Sequence, residues 1–583
     1  MSSGLIETYG IKSVKAACLG AAIICGSGVI VVHLYKLRKC NQLVKEKNKK
    51  EKLFIKQMLM ELEDKDENER EKILSMTAQE LINAAKKGEI DPVTIIQSYI
   101  YKACCDTQTF NSVSGVIRDA QELAKKLTVL QDSDSSSMKL FGLPVSLKEC
   151  IGVKGMDSTI GYSSLINKPA LEDSVIVKVL KSCGAVPFVK TNLVQGMLNF
   201  ESSNPIFGKT GNPKNVNYTP GGSSSGAGSL VGSGGSVLGF GTDIAGSIRN
   251  PAHLCGVCGL KPTMQRLSKI GLQGSLPGQS CLSSCVGPLA QDVDTLVLAM
   301  QALSCPLMSQ LDKNIPPLPF NDELFQSKLK LRIGYYTNDG YAEPVPAVQR
   351  AVLMTKEILE KAGHTLVPFK VPRIEDAMRI LSSALFADGG KTCMENLKND
   401  LVDPVNRYLY WRLSCPAFLR PIVKYVVGWG SPRIAKDLMV YGGGDRSVYR
   451  LWKIQAETEK YKKEFFTQWQ DLDLSAVICP PFPIAAAPIG SVEHTTALTS
   501  YCALFNLLNC PCGVIPVTKV SQADTDKLKD HKGNYGDKWD NHNKKVNENS
   551  TDMPVGVQFV GLPWMDEICL RLMKEVETQI LLQ

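Results

Sequence analysis

The residues best suited to chemistry in this chain lie between Pro220 and Arg249, PGGSSSGAGSLVGSGGSVLGFGTDIAGSIR. Gly, Ser and Ala dominate, yet Leu230, Val231, Val237, Leu238, Phe240 and Ile244 punctuate the stretch, and flexible linkers lack such apolar punctuation. Small residues placed this way let backbone turn sharply and approach another group closely, leaving N–H groups and hydroxyls turned inward. That suits a hydroxyl nucleophile or a cradle for an anion. A plain loop shares the composition.

Several familiar motifs fail here. Gly222-Ser-Ser-Ser-Gly226 fits GxSxG with Ser224 as nucleophile, but that motif needs a strand running into the elbow and a partner histidine downstream. Asn212 to Pro220 is turn chemistry instead, and none of His253, His364, His494, His531 and His542 has a supporting pattern. Gly208-Lys-Thr210 resembles the end of a phosphate-binding loop, but its first glycine would fall at Ser203. GxGxxG fails because Gly232 and Gly234 are followed by Val237. Cys255 and Cys258 form a CxxC without a second pair at matching spacing, which reads as buried thiols rather than a metal or redox site. What remains is Lys148 at the end of a strand-like run, a Gly-Gly-Ser turn at 221–223, and Gly-Ser at 246–247.

These pieces need a large scaffold. The chain has 583 residues, 44% hydrophobic and 21% charged, enough for a large core. The net charge of +8 is uneven: Lys36, Arg38, Lys39, Lys45, Lys47, Lys49 and Lys50 face only Glu46 within residues 36–50. A local block points to a local partner such as phospholipid headgroups rather than to nucleic acid. Nineteen cysteines in so long a chain fall far below disulfide-scaffold density and read as reduced.

Ala16 to Tyr35 holds no Asp, Glu, Lys or Arg, long enough as a helix to span a bilayer. After a short tail over 1–11, this predicts a transmembrane anchor over 12–36. The run is too long, and its strongest charges lie on the wrong side, for a cleaved signal. The basic cluster beyond it places the rest of the chain in the cytosol. Residues 37–76 read as a charged helical stalk, with Leu53, Phe54, Met58, Leu59 and Leu62 at loosely helical spacing. Thr77-Ala-Gln-Glu80 fits a capping box, so the folded domain is expected over 77–583.

Within it, strand-like runs (141–148, 185–190, 331–336, 365–369) alternate with helical ones (173–182, 351–362), which predicts an α/β fold with helices covering a sheet. Residues 404–443 mix Trp411, Phe418, Ile422 and Trp429 with Arg420 and other basic residues. That suits a membrane-associating cap, and equally a helix pair packed on the core. Residues 520–552 are mostly polar and predict a surface excursion.

In order, LPVSLKE, PGGSSSG and GTDIAGSIRNPA, with the tail PVGVQFVGLPWMDEICL, resemble the amidase signature family. The anchor, the aromatic-basic segment and PPLPF at 316–320 are similar to its fatty-acid amide hydrolase branch. The resemblance implies a large twisted mixed β-sheet covered by helices. It makes Ser247 the nucleophile, Ser223 the bridging serine and Lys148 the base. The N–H groups of Ile244, Ala245, Gly246 and Ser247 become the oxyanion donors.

A lysine acts as a base only when neutral. From a pKa of about 10.4, that state costs about 4–5 kcal/mol at pH 7, and burial shifts of about 3–5 units cover it. Lys148 is therefore expected in a desolvated pocket. Its neighbour Glu149 points to the opposite face of an extended strand.

The resemblance further implies a lipid-amide substrate, an acyl-enzyme, no cofactor and no metal. It suggests a homodimer on endoplasmic-reticulum membranes. Glutamine-amidase subunits and a catalytically weak lipid-amide binding paralogue are the alternatives. Some positions depart from the branch: Ala245 and Ser225 replace glycines, and Leu198 and Phe200 stand where Phe and Tyr are expected to line the acyl channel with Met197.

Overall fold

The computed structural model describes residues 34–130, 137–282, 284–416, 418–429, 433, 436, 447–492 and 496–582. Eleven strands form one mixed sheet. In chain order they are β1 (Val113–Val116), β2 (Pro144–Lys148), β3 (Val186–Thr191), β4 (Leu238–Asp243), β5 (Cys258–Lys261), β6 (Cys285–Ala290), β7 (Arg332–Tyr335), β8 (Thr365–Pro368), β9 (Ala476–Cys479), β10 (Cys512–Lys519) and β11 (Pro554–Gly561). Their spatial order is β1-β3-β2-β4-β6-β5-β10-β11-β9-β7-β8. β3, β2 and β4 are mutually parallel, as are β9, β7 and β8; the remaining pairings are antiparallel.

The central strands are buried along their whole length and read as apolar runs, the pattern of a sheet covered on both faces. The helices Val175–Ser182 and Pro346–Lys361 fall where periodicity places them. The Thr77–Glu80 capping box forms, with Glu80 N–H donating to Thr77 Oγ1 at 3.3 Å and Thr77 N–H to Glu80 Oε2 at 2.8 Å.

Three expectations change. First, the stalk expected over 37–76 does not stand off the domain. Helix 34–62 buries Val44, Ile55, Met58 and Leu62 against it. Lys47 Nζ lies 3.0 Å from Asp157, and Asn48 Nδ2 donates to the Ile206 carbonyl at 2.7 Å. Of the loosely spaced set, Phe54, Met58, Leu59 and Leu62 pack on the body, while Leu53 is exposed. Among the described residues no helix is long and apolar enough to cross a membrane. The tail and the anchor expected over 12–36 lie outside them, apart from 34–36, which begin helix 34–62.

Second, the polar surface segment 520–552 is folded and packed on the body. They form the helices Gln522–Leu528 and Lys538–Val546, and bury Trp539, Asp540, Asn543 and Asn547. The Asn547 side chain accepts from the N–H groups of Ala485 and Ala486, so polar residues here satisfy buried backbone.

Third, the 404–443 segment forms the helices Arg407–Ser414 and Arg420–Gly428, but Arg420 is not on their outer face. It is buried, and its Nε donates at 2.9 Å to the carbonyl of Cys415, which ends the preceding helix. A helix end needs such donors. Trp411, Phe418, Ile422 and Trp429 are exposed. Beyond residue 429, only 433 and 436 of this segment are described.

Candidate active site

β2 ends on Lys148, which is fully buried with Ser223 and Ser247. Its Nζ donates at 2.8 Å to Ser223 Oγ and at 2.8 Å to Thr242 Oγ1 at the end of β4. Burial is the main influence on the ammonium and pulls its pKa down to about 8. Glu149 faces elsewhere, as the strand pleat requires: it accepts from Thr159 N–H and Oγ1 and from Ile160 N–H.

Ser223 follows Gly221 and Gly222 and precedes the helix Ser225–Gly232. Gly226, in the first turn of that helix, allows the close approach. A Cβ there would lie 2.3 Å from both the Asn192 nitrogen and the Ser112 carbonyl oxygen. Ser224 N–H donates to the Ser247 carbonyl at 3.2 Å, tying the first serine loop to the second. The Ser224 hydroxyl is buried and donates to the Thr242 carbonyl at 3.3 Å. His253 has no role in a triad. Its Nδ1 accepts from Gly556 N–H at 2.9 Å and its Nε2 meets the Ile484 carbonyl at 2.9 Å.

The second loop, 243–249, is braced from within. The Asp243 carboxylate accepts from the N–H groups of Gly246 (2.8 Å) and Ile248 (3.1 Å), and pairs with Arg249 through Nε (3.0 Å) and Nη2 (2.9 Å). Burial alone would raise the Asp243 pKa; the guanidinium overrides it and holds the carboxyl far below its usual range. Arg249 also donates to the Cys502 carbonyl and to the Gln558 and Asn506 side chains, so its fork is satisfied. The Gly246 N–H is thus committed inside the loop. The N–H groups of Ile244, Ala245 and Ser247 have no partner among the described residues. Gly246 has φ of +123°, and a Cβ there would come 2.7 Å from the Cys502 Cβ.

Ser247 opens into a cavity of about 450 Å³. Met197, Leu198 and Phe200 line it, as do Ile244 and Ala245. So do Tyr408 and Arg412 of the aromatic-basic segment, and residues that sequence patterns did not single out: Leu409, and Met378, Leu381 and Leu385 from the helix Ile374–Leu385. That helix carried a clear apolar stripe; nothing local tied the stripe to the serines. Thr242, Asp243 and Arg249 all lie within GTDIAGSIR, where an acid and a base six residues apart around the serine were a readable signal.

The Amidase family matches residues 94–570. The chain belongs to the amidase family. It is 42% identical to fatty-acid amide hydrolase 1 of Sus scrofa over 87% of this chain and 86% of that one. It is 36% identical to fatty acid amide hydrolase 1 of Caenorhabditis elegans, over 88% and 90%. A solved structure of a fatty acid amide hydrolase superposes with a TM-score of 0.76 at 23% identity, covering 94% of this chain and 95% of that one; this likeness speaks for the fold. As a member of the amidase family the chain is an amide hydrolase.

Proposed function

We propose that this amidase hydrolyses long-chain fatty-acid amides, N-acylethanolamines and primary amides, to fatty acid and amine. The observation that carries the reading is a buried lysine with a depressed pKa, donating to a serine whose loop is tied to a second serine at the wall of a cavity lined by Met197, Leu198, Phe200 and Leu381.

Neutral Lys148 takes the Ser223 proton while Ser223 takes that of Ser247. Ser247 Oγ attacks the amide carbon, and the carbonyl oxygen becomes an oxyanion facing the N–H groups of Ile244, Ala245 and Ser247. One such donor contributes about 3–4 kcal/mol to the transition state. The relay then runs backward, the proton reaching the amide nitrogen as the C–N bond breaks, because an amide anion is too poor a leaving group. Water enters by the same relay and releases the fatty acid from Ser247.

The membrane part of the proposal rests on exposed Phe418, Ile422, Tyr425, Val426 and Trp429 beside Lys424. These are an apolar face and a cation suited to lipid headgroups, next to residues that line the substrate cavity. A membrane-bound homodimer on the endoplasmic reticulum, its catalytic domain toward the cytosol, completes the reading. Co-flotation with liposomes and sedimentation test these two parts.

A fluorophosphonate probe should form an adduct on Ser247 of the folded chain, and Ser247→Ala should lose both labelling and oleamide turnover. An unlabelled Ser247 would leave a lipid-amide binding protein. Turnover of glutamine in place of fatty amides would favour a glutamine amidase.

A further inference from the structure

A second cavity, of about 380 Å³, lies between helix 34–62, the β1 edge of the sheet and the loops after β2, and shares no lining residue with the first. Its walls bring together Glu46, Lys47, Glu51, Glu149, Asp157 and Lys190. Two groups in it have hydrogen-bonding capacity left over. Lys190 is buried, and its Nζ donates to the Asp157 carbonyl (2.7 Å) and to Ser158 Oγ (2.9 Å), both neutral acceptors. An ammonium has three donors, and Lys190 has no ion pair among the described residues. The Glu51 side chain is 8% exposed, and its Oε1 lies 3.2 Å from Lys47. Its Oε2 is buried without a partner among the described residues. That oxygen lies over Gly115, where a Cβ would come within 3.3 Å of it.

Glu149 and Asp157 are near enough to favour the charge on Lys190, but neither carboxylate bonds to it. Glu149 accepts from Thr159 and Ile160 instead, and Asp157 Oδ2 from Lys47 and Asn167 N–H. Lys50 and Arg118 are exposed where they line the same cavity. A simple anion would satisfy Lys190 and leave Glu51 unmet; a simple cation would do the reverse and meet the lysines with like charge.

We propose that this cavity binds a small zwitterion, its carboxylate or phosphate against Lys190 with Lys50 and Arg118 nearby, and its ammonium against Glu51. Phosphoethanolamine has this chemistry, whether free or as a phospholipid headgroup. The proposal uses no residue of the catalytic reading and stands or falls apart from it.

Titration calorimetry on the full chain tests it with three probes: phosphoethanolamine, inorganic phosphate and ethylammonium. Phosphoethanolamine should bind at least about tenfold more tightly than either half-ligand, as expected when each charged end makes its own bond. Glu51→Gln should cost about tenfold for phosphoethanolamine and leave phosphate unchanged. Lys190→Met should weaken both. Retained amide turnover reports folding, and Lys50→Ala, at an exposed site, gives a weaker loss for phosphate-bearing probes even if Lys190→Met fails to fold. Competition by phosphatidylethanolamine vesicles would assign the lipid source, and competition only by soluble probe the free one. Absence of saturable binding at millimolar concentration, equal affinity for a half-ligand, or indifference to Glu51→Gln overturns the proposal.

Discussion

Lys148 and Lys190 stand one strand apart, with Leu147 paired to Lys190 across β2 and β3. Both are fully buried, and burial pulls both below the ordinary lysine pKa. Their partners differ. Lys148 meets two hydroxyls, one of them on the loop tied to Ser247. Lys190 meets a carbonyl and a hydroxyl in a charged cavity, with Glu149 among its neighbours. A base needs a partner with a proton to give and a path onward from it. Burial tunes a lysine, and its neighbours decide what the tuning is for.

The strongest challenge to this contrast is to remove each lysine in turn. Lys148→Met should lower kcat by about 10²–10⁴-fold, the usual range for a lost general base, while Lys190→Met should leave kcat within about threefold if it serves a separate site. Equal losses would erase the distinction.

Stability gives the next largest effect. The folded pKa of Lys148, about 8, lies below its unfolded value. The folded state therefore binds fewer protons between pH 8 and about 10.5, and stability rises with pH there. The penalty, about 3 kcal/mol from the size of the shift, is fully present below pH 8. The stability advantage of Lys148→Met over the native chain should shrink by about that amount as denaturant melts are moved from pH 7.5 to 10.5. The same depressed pKa predicts turnover that climbs with pH and levels off above about 8, as the amine becomes neutral.

Thr242→Val comes next. Losing an acceptor for the ammonium should lower the Lys148 pKa further, moving the acid limb of the rate profile to lower pH. The plateau should fall about tenfold as the amine loses its aim, and Thr242→Ser should restore both. An unmoved limb would make Thr242 merely structural. Smallest is Ala245→Gly: a methyl group carries about 0.8 kcal/mol of transfer energy, so kcat/KM should change no more than about fourfold.

The elements of this site were legible where chemistry and local pattern coincide. Lys148 closes a strand-like run, and the two Gly-Ser turns stand in a stretch where small residues interrupt apolar ones; the likeness to amidases joined them. The strand and helix runs around them also held, because buried parallel strands and amphipathic helices write their periods into consecutive residues. What escaped were relations between distant segments. The face of helix 34–62 was visible as Phe54, Met58 and Leu62, but nothing in those residues says whether solvent or protein covers it. The polar run 520–552 looked solvated because composition does not record that Asp537 and Asp540 pair with Arg433, about a hundred residues away. The inward turn of Arg420 depends on one carbonyl at a helix end.

Helix 34–62 is held to the body by buried apolar side chains, by Lys47–Asp157 and by Asn48, while the turn that follows it, 63–66, is exposed. A protease that cuts that turn severs the chain without removing what binds the two pieces together. The segment behaves as a docked subunit that happens to be covalently continuous, and its release is an unfolding event rather than a peptide-bond event.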